Sequence, residues 1–319
     1  MKTYQMYIDG QFVTSTSGQF FDVINPATEE VIASVTKGTV EEPRAAIDAA
    51  DKAQNAWEQL PAIERAGYLR KIAHGIRERT EEIARVISSE MGKTLPLARV
   101  EVNFTADYID YMAEWARRYE GEILQSDRLN EHIFIYKKAI GVTTGILPWN
   151  FPFFLIARKM APALVTGNTI VVKPSVDSPI NAILFAEIVH SSGLPKGVFN
   201  LVHGAGGEIG QELAGNPKVG LVSLTGSEPA GRKVMEAASR NITKVNLELG
   251  GKAPAIVLAD ANLDLAAKAI VASRIINSGQ VCNCAERIYV QREVKEVFTQ
   301  KLVELMKKVR LGNPLEDET

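Results

Sequence analysis

The spacing of hydrophobic residues changes near residue 139. From Glu41 to Gly121 apolar residues recur every three or four positions, which predicts several amphipathic helices. Beyond residue 139, short and nearly all-apolar runs alternate with helical stretches, a pattern typical of a parallel sheet covered on both faces. The predicted fold class is therefore α/β, with a Rossmann-like parallel sheet whose strands are Ala139–Leu147, Thr169–Val172, Val198–Val202, Val219–Leu224, Val245–Leu247 and Ala255–Leu258.

The segments before residue 139 are predicted to support that sheet. Alternating residues around Asp9-Gly10 predict a β-hairpin, and a short strand is expected over Phe20–Ile24. The run 122–138 is charged and alternating, so it predicts an exposed ribbon, either an arm to another subunit or a plain surface hairpin. The helical stripes are assigned only a packing role, including the last one, formed by Leu97, Val100, Phe104, Tyr108, Tyr111 and Trp115.

Composition narrows the range of partners. The 319 residues are 46% hydrophobic and 23% charged, with a net charge of −2, so no basic surface for nucleic acid is expected. No apolar run is long enough to cross a bilayer, and the first residues do not resemble a signal peptide. The two cysteines are too close in sequence to pair, and the four histidines lack metal-ligand spacing. A metal-free protein of the cytoplasm is predicted.

Polar loops follow four of the predicted strands. They are Pro148–Pro152, Lys173–Ser175, Thr225–Ser227 and Glu248–Lys252. Ligands of such sheets bind beyond the carboxyl ends of the strands, so these loops are expected to converge on one site.

Each loop offers one useful group. Gly226 and Ser227 open a helix whose free N–H groups would suit a phosphate, although they could simply cap it. Lys173 could hold a ribose hydroxyl or phosphate, or be a solvated charge. Asn150 brings an amide donor, and Glu248 a carboxylate that could act as a base. The cluster from Gly204 to Gly210 misses the dinucleotide fingerprint by one residue, which indicates a helix-opening loop near an adenine.

Both cysteines lie in one stretch, Asn277–Glu286, between a helical pattern and a β-rich run. A helix-to-strand junction can present a thiol to a cleft and aim backbone N–H groups at whatever the thiol attacks. The alternative is that Cys282 and Cys284 are both small buried hydrophobic residues.

Taken together, these motifs resemble the NAD(P)-dependent aldehyde dehydrogenase superfamily over essentially the whole chain. Within it, the runs Met112–Gly121 and Val281–Gln291 look most like the bacterial lactaldehyde/glycolaldehyde dehydrogenases. The resemblance rests on five motifs in the family's order: Pro148-Trp149-Asn150-Phe151-Pro152, Lys173-Pro174-Ser175, Thr225-Gly226-Ser227 with Gly231, Leu247-Glu248-Leu249-Gly250-Gly251-Lys252 and Gly279-Gln280-Val281-Cys282.

The resemblance implies a role for each residue and oxidation of a small aldehyde to its acid. Cys282 would be the nucleophile, Asn150 and the Cys282 backbone N–H would hold the oxyanion, and Glu248 would activate water against a thioester. Arg158 and Asn283 would touch the substrate, and Cys284 would be structural. The expected cofactor-binding residues are Pro148, Trp149, Lys173, Ser175, Val176, Gly210, Gln211, Gly226 and Ser227.

This chain departs from the family's pattern in two ways. Many NAD-preferring relatives have Glu where this chain has Val176, so NADP use becomes plausible, although NAD is favoured. Family members also continue past Thr319, so the chain is expected to be C-terminally truncated. A catalytically silent binding or structural protein is therefore the alternative function.

The implied domains are a cofactor-binding domain, an oligomerisation ribbon for a homodimer or homotetramer, and the first part of a catalytic domain. Their ranges are 1–121 with 139–250, 122–138, and 251–319 respectively.

Overall fold

A seven-stranded sheet forms the centre of the molecule, as described by a computed structural model covering residues 2–319. Its strands are β2 (Met6–Ile8), β3 (Gln11–Val13), β8 (Val142–Ile146), β9 (Thr169–Lys173), β10 (Phe199–Leu201), β11 (Val219–Gly226) and β12 (Lys244–Leu249). They lie in the order β12-β11-β8-β9-β10-β2-β3. The five strands from β8 to β12 run parallel to one another, which confirms the predicted parallel sheet.

The N-terminal hairpin joins this sheet, which its sequence pattern did not predict. Tyr7 of β2 pairs antiparallel with Leu201 of β10, so β2 and β3 extend the edge and the sheet is mixed. The opposite edge strand β12 is largely exposed rather than covered on both faces. Among the five parallel strands, β8, β9 and β10 have the near-complete burial that their apolar composition predicts.

Helices cover both faces of the sheet. They are α1 (Glu41–Gln59), α5 (Pro152–Val165), α6 (Ile180–Ser191), α7 (Gly206–Gly215) and α8 (Glu228–Ser239). On β9, Val171 faces a core shared with α1 and α7, while Ile170 and Val172 face a larger core shared with α5 and α6. Strand residues alternate between faces, so one strand contributes to both cores. Helix α8 packs on α7 and the β11–β12 edge.

Three further helices pack against the larger of these two cores, the one shared with α5 and α6. They are α2 (Ala62–Glu78), α3 (Thr80–Met91) and α4 (Leu95–Ala113). For α4, the last of them, the predicted buried face is wrong. On α4 the buried face carries Ala98, Val102, Ala106 and Ile109. The stripe that includes Phe104, predicted to pack inside, lies on the other side of the helix, where Phe104 is 53% exposed. Helix α4 therefore has two apolar faces, and the bulkier one was wrongly chosen as the core.

Two small sheets lie outside the central one. The first contains β1 (Thr3–Tyr4), β5 (Val31–Thr36) and β4 (Phe20–Ile24), of which β5 was not predicted. The second is an antiparallel ribbon of β6 (Glu122–Gln125) and β7 (His132–Ile135), with every residue of both strands exposed. The predicted ribbon over 122–138 is confirmed as a structural element.

The last part of the chain forms a separate small unit. Strands β13 (Pro254–Val257) and β14 (Arg287–Val290) pair parallel with each other, with helices α9 (Leu263–Ile275) and α10 (Lys295–Met306) packed against them. The prediction that 255–258 joins the large sheet is wrong. Each predicted domain range contains its own sheet, and the division into functional domains stays a prediction. Within residues 2–319 no helix is both long and apolar enough to cross a bilayer.

A buried carboxylate caps helix α5, which starts next to the Asn150 loop. Its N-cap residue, Phe151, supplies no side-chain cap. Instead Glu101 of α4 accepts hydrogen bonds from the N–H groups of Phe153 and Phe154, both at 3.0 Å. A carboxylate at a helix N-terminus satisfies free N–H groups and opposes the helix dipole. The fully buried Lys93 pairs with Glu101, and its ammonium lies 3.6 Å from the ring centroid of Phe151.

Helix α6 is capped in the same way. Its N-cap, Pro179, provides no side-chain acceptor, and Glu90 of α3 accepts from the N–H groups of Ile180 at 2.7 Å and Asn181 at 3.0 Å. Burial raises the pKa of Glu90 to about 7, although these hydrogen bonds act in the opposite direction. The helices that cover one face of the sheet are thus fixed by side chains from distant parts of the sequence.

Candidate functional site

A cavity of about 900 Å³ lies between the carboxyl edge of the central sheet and the small C-terminal unit. It brings together most of the residues singled out in the sequence, from four strand-end loops and the cysteine stretch. The predicted residues that line it are Pro148, Trp149, Asn150, Arg158, Lys173, Ser175, Val176, Gly226, Ser227, Glu248, Cys282 and Asn283.

Two predicted residues lie elsewhere. Gly210 and Gln211 are inside helix α7, where Gly210 is buried and Gln211 is exposed, and neither is among the described residues that line the cavity. Gly206, at the start of α7, lines it instead. The glycine cluster does open a helix, as predicted, but only its first turn reaches the site.

Cys282 lies in a tight turn between α9 and β14. The Cys284 N–H donates to the Val281 carbonyl at 3.3 Å, which closes a turn with Cys282 and Asn283 at its corner. The Cys282 side chain is exposed and lines the cavity, whereas Cys284 is buried. The junction prediction is confirmed, and the alternative of two buried cysteines is wrong for Cys282.

Asn150 follows β8 and is held by three hydrogen bonds. Its Oδ1 accepts from the Phe151 N–H at 3.0 Å, and its Nδ2 donates to the Gln280 carbonyl at 2.9 Å. The backbone carbonyl of Asn150 accepts from Asn277 Nδ2 at 3.0 Å. One N–H of the Asn150 amide is thus engaged by the cysteine stretch, and an amide nitrogen carries a second N–H for a ligand.

Glu248 stands near the end of β12, paired in register with Thr225 of β11. Its carboxylate is exposed, and Oε1 lies 3.9 Å from Nη2 of Arg158. An exposed pair at this distance holds neither side chain firmly. Glu248 is therefore a carboxylate with access to water at the wall of the cavity.

Lys173, at the end of β9, is not the solvated charge that the sequence left open. It is buried, and its Nζ donates to the Pro174 carbonyl at 3.0 Å. Burial lowers the pKa of Lys173 to about 8, with the charge of Asp177 acting in the opposite direction. Behind it, burial and the Lys173 charge together lower the pKa of His203 to about 3, so that imidazole stays neutral.

Helix α8 presents its N-terminus to the cavity. Ser227 is the N-cap and accepts from the Ala230 N–H at 3.4 Å, so the predicted helix start is confirmed. A Cβ at Gly231 would lie 2.9 Å from a methyl carbon of Leu249, so glycine there lets α8 pack closely on β12. The free N–H groups and positive dipole end of α8 therefore meet the cavity beside Gly226 and Ser227.

An apolar wall was missed by the sequence analysis. Val100 and Phe104 of α4, with Phe154 of α5, line the cavity, and the Phe104 and Phe154 rings lie 4.7 Å apart. The sequence could have indicated this wall, because apolar residues occupy more than one face of α4. A second face of that kind marks either a second core or a binding surface, and here it is the wall of a cavity.

A second, smaller cavity of about 420 Å³ adjoins the first and shares Arg158, Thr225 and Glu248 with it. It contains Lys159, whose Nζ donates to Ser223 Oγ at 2.7 Å. Burial, and to a lesser degree the neighbouring Arg158, lowers the pKa of Lys159 to about 8. The sequence pattern did not predict a role for Lys159, because this residue lies inside a helix among apolar residues.

Among residues 2–319, no group of three or more His, Cys, Asp or Glu side chains is arranged as a metal site. That the protein works without a metal stays a prediction.

The chain matches known proteins over nearly its whole length. A sequence profile described as "Aldehyde dehydrogenase family" matches residues 12–319. Lactaldehyde dehydrogenase of Escherichia coli K12 is 66% identical over 98% of this chain. A crystal structure of that enzyme superimposes with a TM-score of 0.98 over 99% of this chain. A structure of 3,6-anhydro-L-galactose dehydrogenase in complex with NAP, 40% identical, gives a TM-score of 0.97 over 100% of this chain.

These relatives are longer than this chain. It spans 65% of the E. coli enzyme sequence, 66% of that enzyme's solved chain and 67% of the chain solved with NAP.

Proposed function

The chain belongs to the aldehyde dehydrogenase family, and we propose that it oxidises a small aldehyde to the carboxylic acid with NAD(P). The observation that carries this proposal is one cavity lined by an exposed thiol, an amide donor and a carboxylate. The three groups are Cys282, Asn150 and Glu248, and they come from three separate loops.

Cys282 is the proposed nucleophile. Its exposed sulfur, as the thiolate, would attack the aldehyde carbon and form a thiohemiacetal, placing negative charge on the former carbonyl oxygen. The Asn150 amide, oriented by the Gln280 carbonyl, and the Cys282 backbone N–H would stabilise that oxygen. Loss of hydride from the same carbon leaves a thioester on Cys282.

Glu248 is the proposed base for the second half of the reaction. Its exposed carboxylate at the cavity wall would take a proton from water, which attacks the thioester and releases the acid and the thiol. Because Glu248 provides a hydrolytic route, no thiol cosubstrate is required. Added coenzyme A should therefore leave the rate unchanged.

The cofactor site is proposed at the other end of the cavity. The α8 N-terminus offers N–H groups for a pyrophosphate, and Lys173 Nζ retains N–H groups beyond the one donated to Pro174. These donors fit a dinucleotide, and Pro148, Trp149, Ser175 and Val176 line the same region. When bound, NAD(P) supplies the hydride acceptor.

We propose NAD as the principal cofactor and NADP as a second one. Val176 places no carboxylate beside Lys173, so a 2′-phosphate would meet little repulsion there. The carboxylate of Asp177 is engaged with Ser175 Oγ at 2.9 Å. A relative was solved with NAP, which agrees with a site of this class.

The substrate is proposed to be a short hydroxyaldehyde of the lactaldehyde or glycolaldehyde kind. Arg158 and Asn283 line the same cavity as the apolar side chains of Phe104 and Phe154, and they would serve as polar contacts for a hydroxyl group. The 66% identity to the E. coli lactaldehyde dehydrogenase supports this choice.

The ribbon β6–β7 is proposed to bind another subunit in a homodimer or homotetramer. A two-stranded ribbon is barely stable alone in water, and this one exposes apolar side chains such as Ile123 at 76% and Phe134 at 55%.

Both cysteines are free thiols, which supports a reducing compartment, and we propose the cytoplasm.

The test is the appearance of reduced nicotinamide absorbance when an aldehyde and NAD are added to the purified chain. Cys282→Ser should abolish it, whereas Ser239→Ala, a change at the far end of α8, should not. Unchanged turnover in Cys282→Ser would contradict the nucleophile assignment. Cofactor binding without any aldehyde oxidation would instead indicate the alternative, a silent protein that keeps the fold.

A further inference from the structure

The turn before Cys282 has an unusual backbone. Asn277, Ser278 and Gly279 have positive φ angles of 48°, 56° and 81° in succession. A non-glycine residue in this left-handed region is strained, and such conformations persist only where the surroundings enforce them. Neighbouring groups must therefore hold this segment in place.

The second cysteine provides one of these restraints. Cys284 is 4% exposed, and its thiol donates to the Gly279 carbonyl at 3.2 Å. Nη1 of Arg274 in turn donates to the Cys284 sulfur at 3.4 Å. Hydrogen bonds in a chain strengthen one another, so a cationic donor on the sulfur makes its S–H a better donor.

Gly279 is adapted to the same arrangement. A Cβ added there would clash with Nη2 of Arg274. The guanidinium thus fills the space that a side chain at position 279 would need. Arg274, Cys284 and Gly279 form one unit, which we call the thiol tether.

The thiol tether and the Asn150 loop hold different residues of the turn. Asn277 and Gln280 are hydrogen-bonded to the Asn150 loop. The Cys284 thiol reaches back across the turn to Gly279, and the Cys284 N–H closes the corner that contains Cys282. Cys282 lies between these restraints, and its own side chain is exposed.

We propose that Cys284, held by Arg274, is a positioning residue that fixes the turn carrying the Cys282 nucleophile. This inference rests on the proposed function, because it assumes that Cys282 attacks the substrate. Attack on an aldehyde requires the sulfur, the Cys282 N–H and the Asn150 amide in one geometry, whereas alkylation by a small reagent requires only the sulfur. Loss of the tether should therefore slow aldehyde oxidation, whereas a loosened turn should let a small reagent reach the Cys282 sulfur from more directions and speed its alkylation.

The experiment compares Cys284→Ala with Cys284→Ser. The alanine variant loses the donor to Gly279, and the serine variant keeps one. We expect kcat to fall about ten- to a hundredfold in Cys284→Ala and to recover most of the way in Cys284→Ser. The Kd for NAD, measured by fluorescence titration, should stay within about twofold in both, because the cofactor wall is untouched.

Arg274→Met provides the second arm, with Arg240→Met at the end of α8 as the matched control. Arg274→Met should reproduce the fall in kcat of Cys284→Ala, and combining the two should add little, since both break the same chain. Wild-type kcat in Cys284→Ala would overturn the proposal. Equal losses in Cys284→Ala and Cys284→Ser would also overturn it, because that result indicates side-chain volume rather than a donated hydrogen bond.

A measurement that needs no aldehyde distinguishes this inference from the proposed function. The rate of Cys282 alkylation by iodoacetamide, followed by peptide mass spectrometry, should rise about threefold or more in Cys284→Ala and return toward wild type in Cys284→Ser. Equal alkylation rates in wild type and both variants would overturn the positioning role. Absence of aldehyde oxidation in the wild type, with this alkylation pattern intact, would contradict only the proposed function.

Discussion

The two walls of the cavity are built very differently. The wall that carries Asn150 and Lys173 rests on β8 and β9, which are buried almost throughout, and on the largest hydrophobic core of the molecule. The wall that carries Cys282 belongs to the small unit of β13 and β14, whose core contains five buried side chains. The proposed nucleophile and oxyanion donor therefore belong to regions of unequal rigidity.

This difference explains why hydrogen bonds are concentrated where the walls meet. Apolar packing fixes the Asn150 wall, whereas the Cys282 wall depends on individual side-chain contacts through Asn277, Gln280 and Cys284. Local stability scales with the buried apolar contacts of a segment, so the Cys282 wall should open more easily. The hydrogen bonds through Asn277, Gln280 and Cys284 must therefore provide the order that apolar packing gives to the Asn150 wall.

The largest effect is expected on the rigid wall, from Lys93→Met. This change removes the ammonium from a fully buried pair and leaves the Glu101 carboxylate without a counter-charge. Breaking a buried pair on one side costs about 3–5 kcal/mol, and we expect that loss in the free energy of unfolding. Urea unfolding followed by circular dichroism measures it.

The matched control is the double variant Lys93→Met with Glu101→Gln. It removes both charges at nearly constant volume and keeps an oxygen to accept from the Phe153 and Phe154 N–H groups. Most of the lost stability should return. A single variant as stable as the wild type would show that this wall does not depend on the pair.

Glu90 should give the rigid wall a measurable pH dependence. Its folded-state pKa of about 7 lies above the ordinary glutamate value of 4.5, so its contribution is fully present below pH 4.5 and is lost as pH rises through 7. Between pH 5 and pH 8 this group alone should lower the free energy of unfolding by about 2–3 kcal/mol. Glu90→Gln should remove that loss, as urea unfolding at the two pH values would show.

His203, on the same wall, should make the free energy of unfolding change with pH in the opposite direction. Its folded pKa of about 3 lies below the ordinary value of 6.5, so its contribution is present above pH 6.5 and is lost as pH falls. Between pH 8 and pH 5 the loss is about 2 kcal/mol. His203→Gln is therefore the control. If both variants keep the wild-type pH dependence, neither group is as deeply buried in solution as in this structure.

Local patterns in the sequence predicted the architecture but not the contacts that secure it. The continuous apolar runs around Val142 and Thr169 became central strands, and the loops after them converged because parallel strands end at one edge. Asn150 and Glu248 were brought to one cavity for the same reason, whereas Cys282 reaches that cavity from the separate unit of β13 and β14. Each of these expectations depends on the strand-and-loop order, which the sequence displays directly.

The missed features all depend on long-range contacts. Glu101 and Glu90 cap helices more than fifty residues away, and no local signal links a glutamate to a helix that it will meet only after folding. The exposed face of α4 was mistaken for core because bulk alone does not show which of two apolar faces is inside. The Arg274–Cys284 contact spans ten residues across a left-handed turn whose geometry only coordinates reveal.

The smallest effect on stability is expected where the two walls meet, from Asn277→Ala. The change removes the hydrogen bonds from Nδ2 to the Asn150 and Gln280 carbonyls and leaves alanine in a left-handed conformation. The loss is partly offset, because Asn277 Oδ1 is buried without a partner among the described residues. We expect about 1 kcal/mol, confined to the Cys282 wall. Hydrogen exchange should therefore quicken in residues 276–286 and stay unchanged in β8. Equal acceleration in both segments would mean that the walls open as one unit, and the contrast between them would not hold.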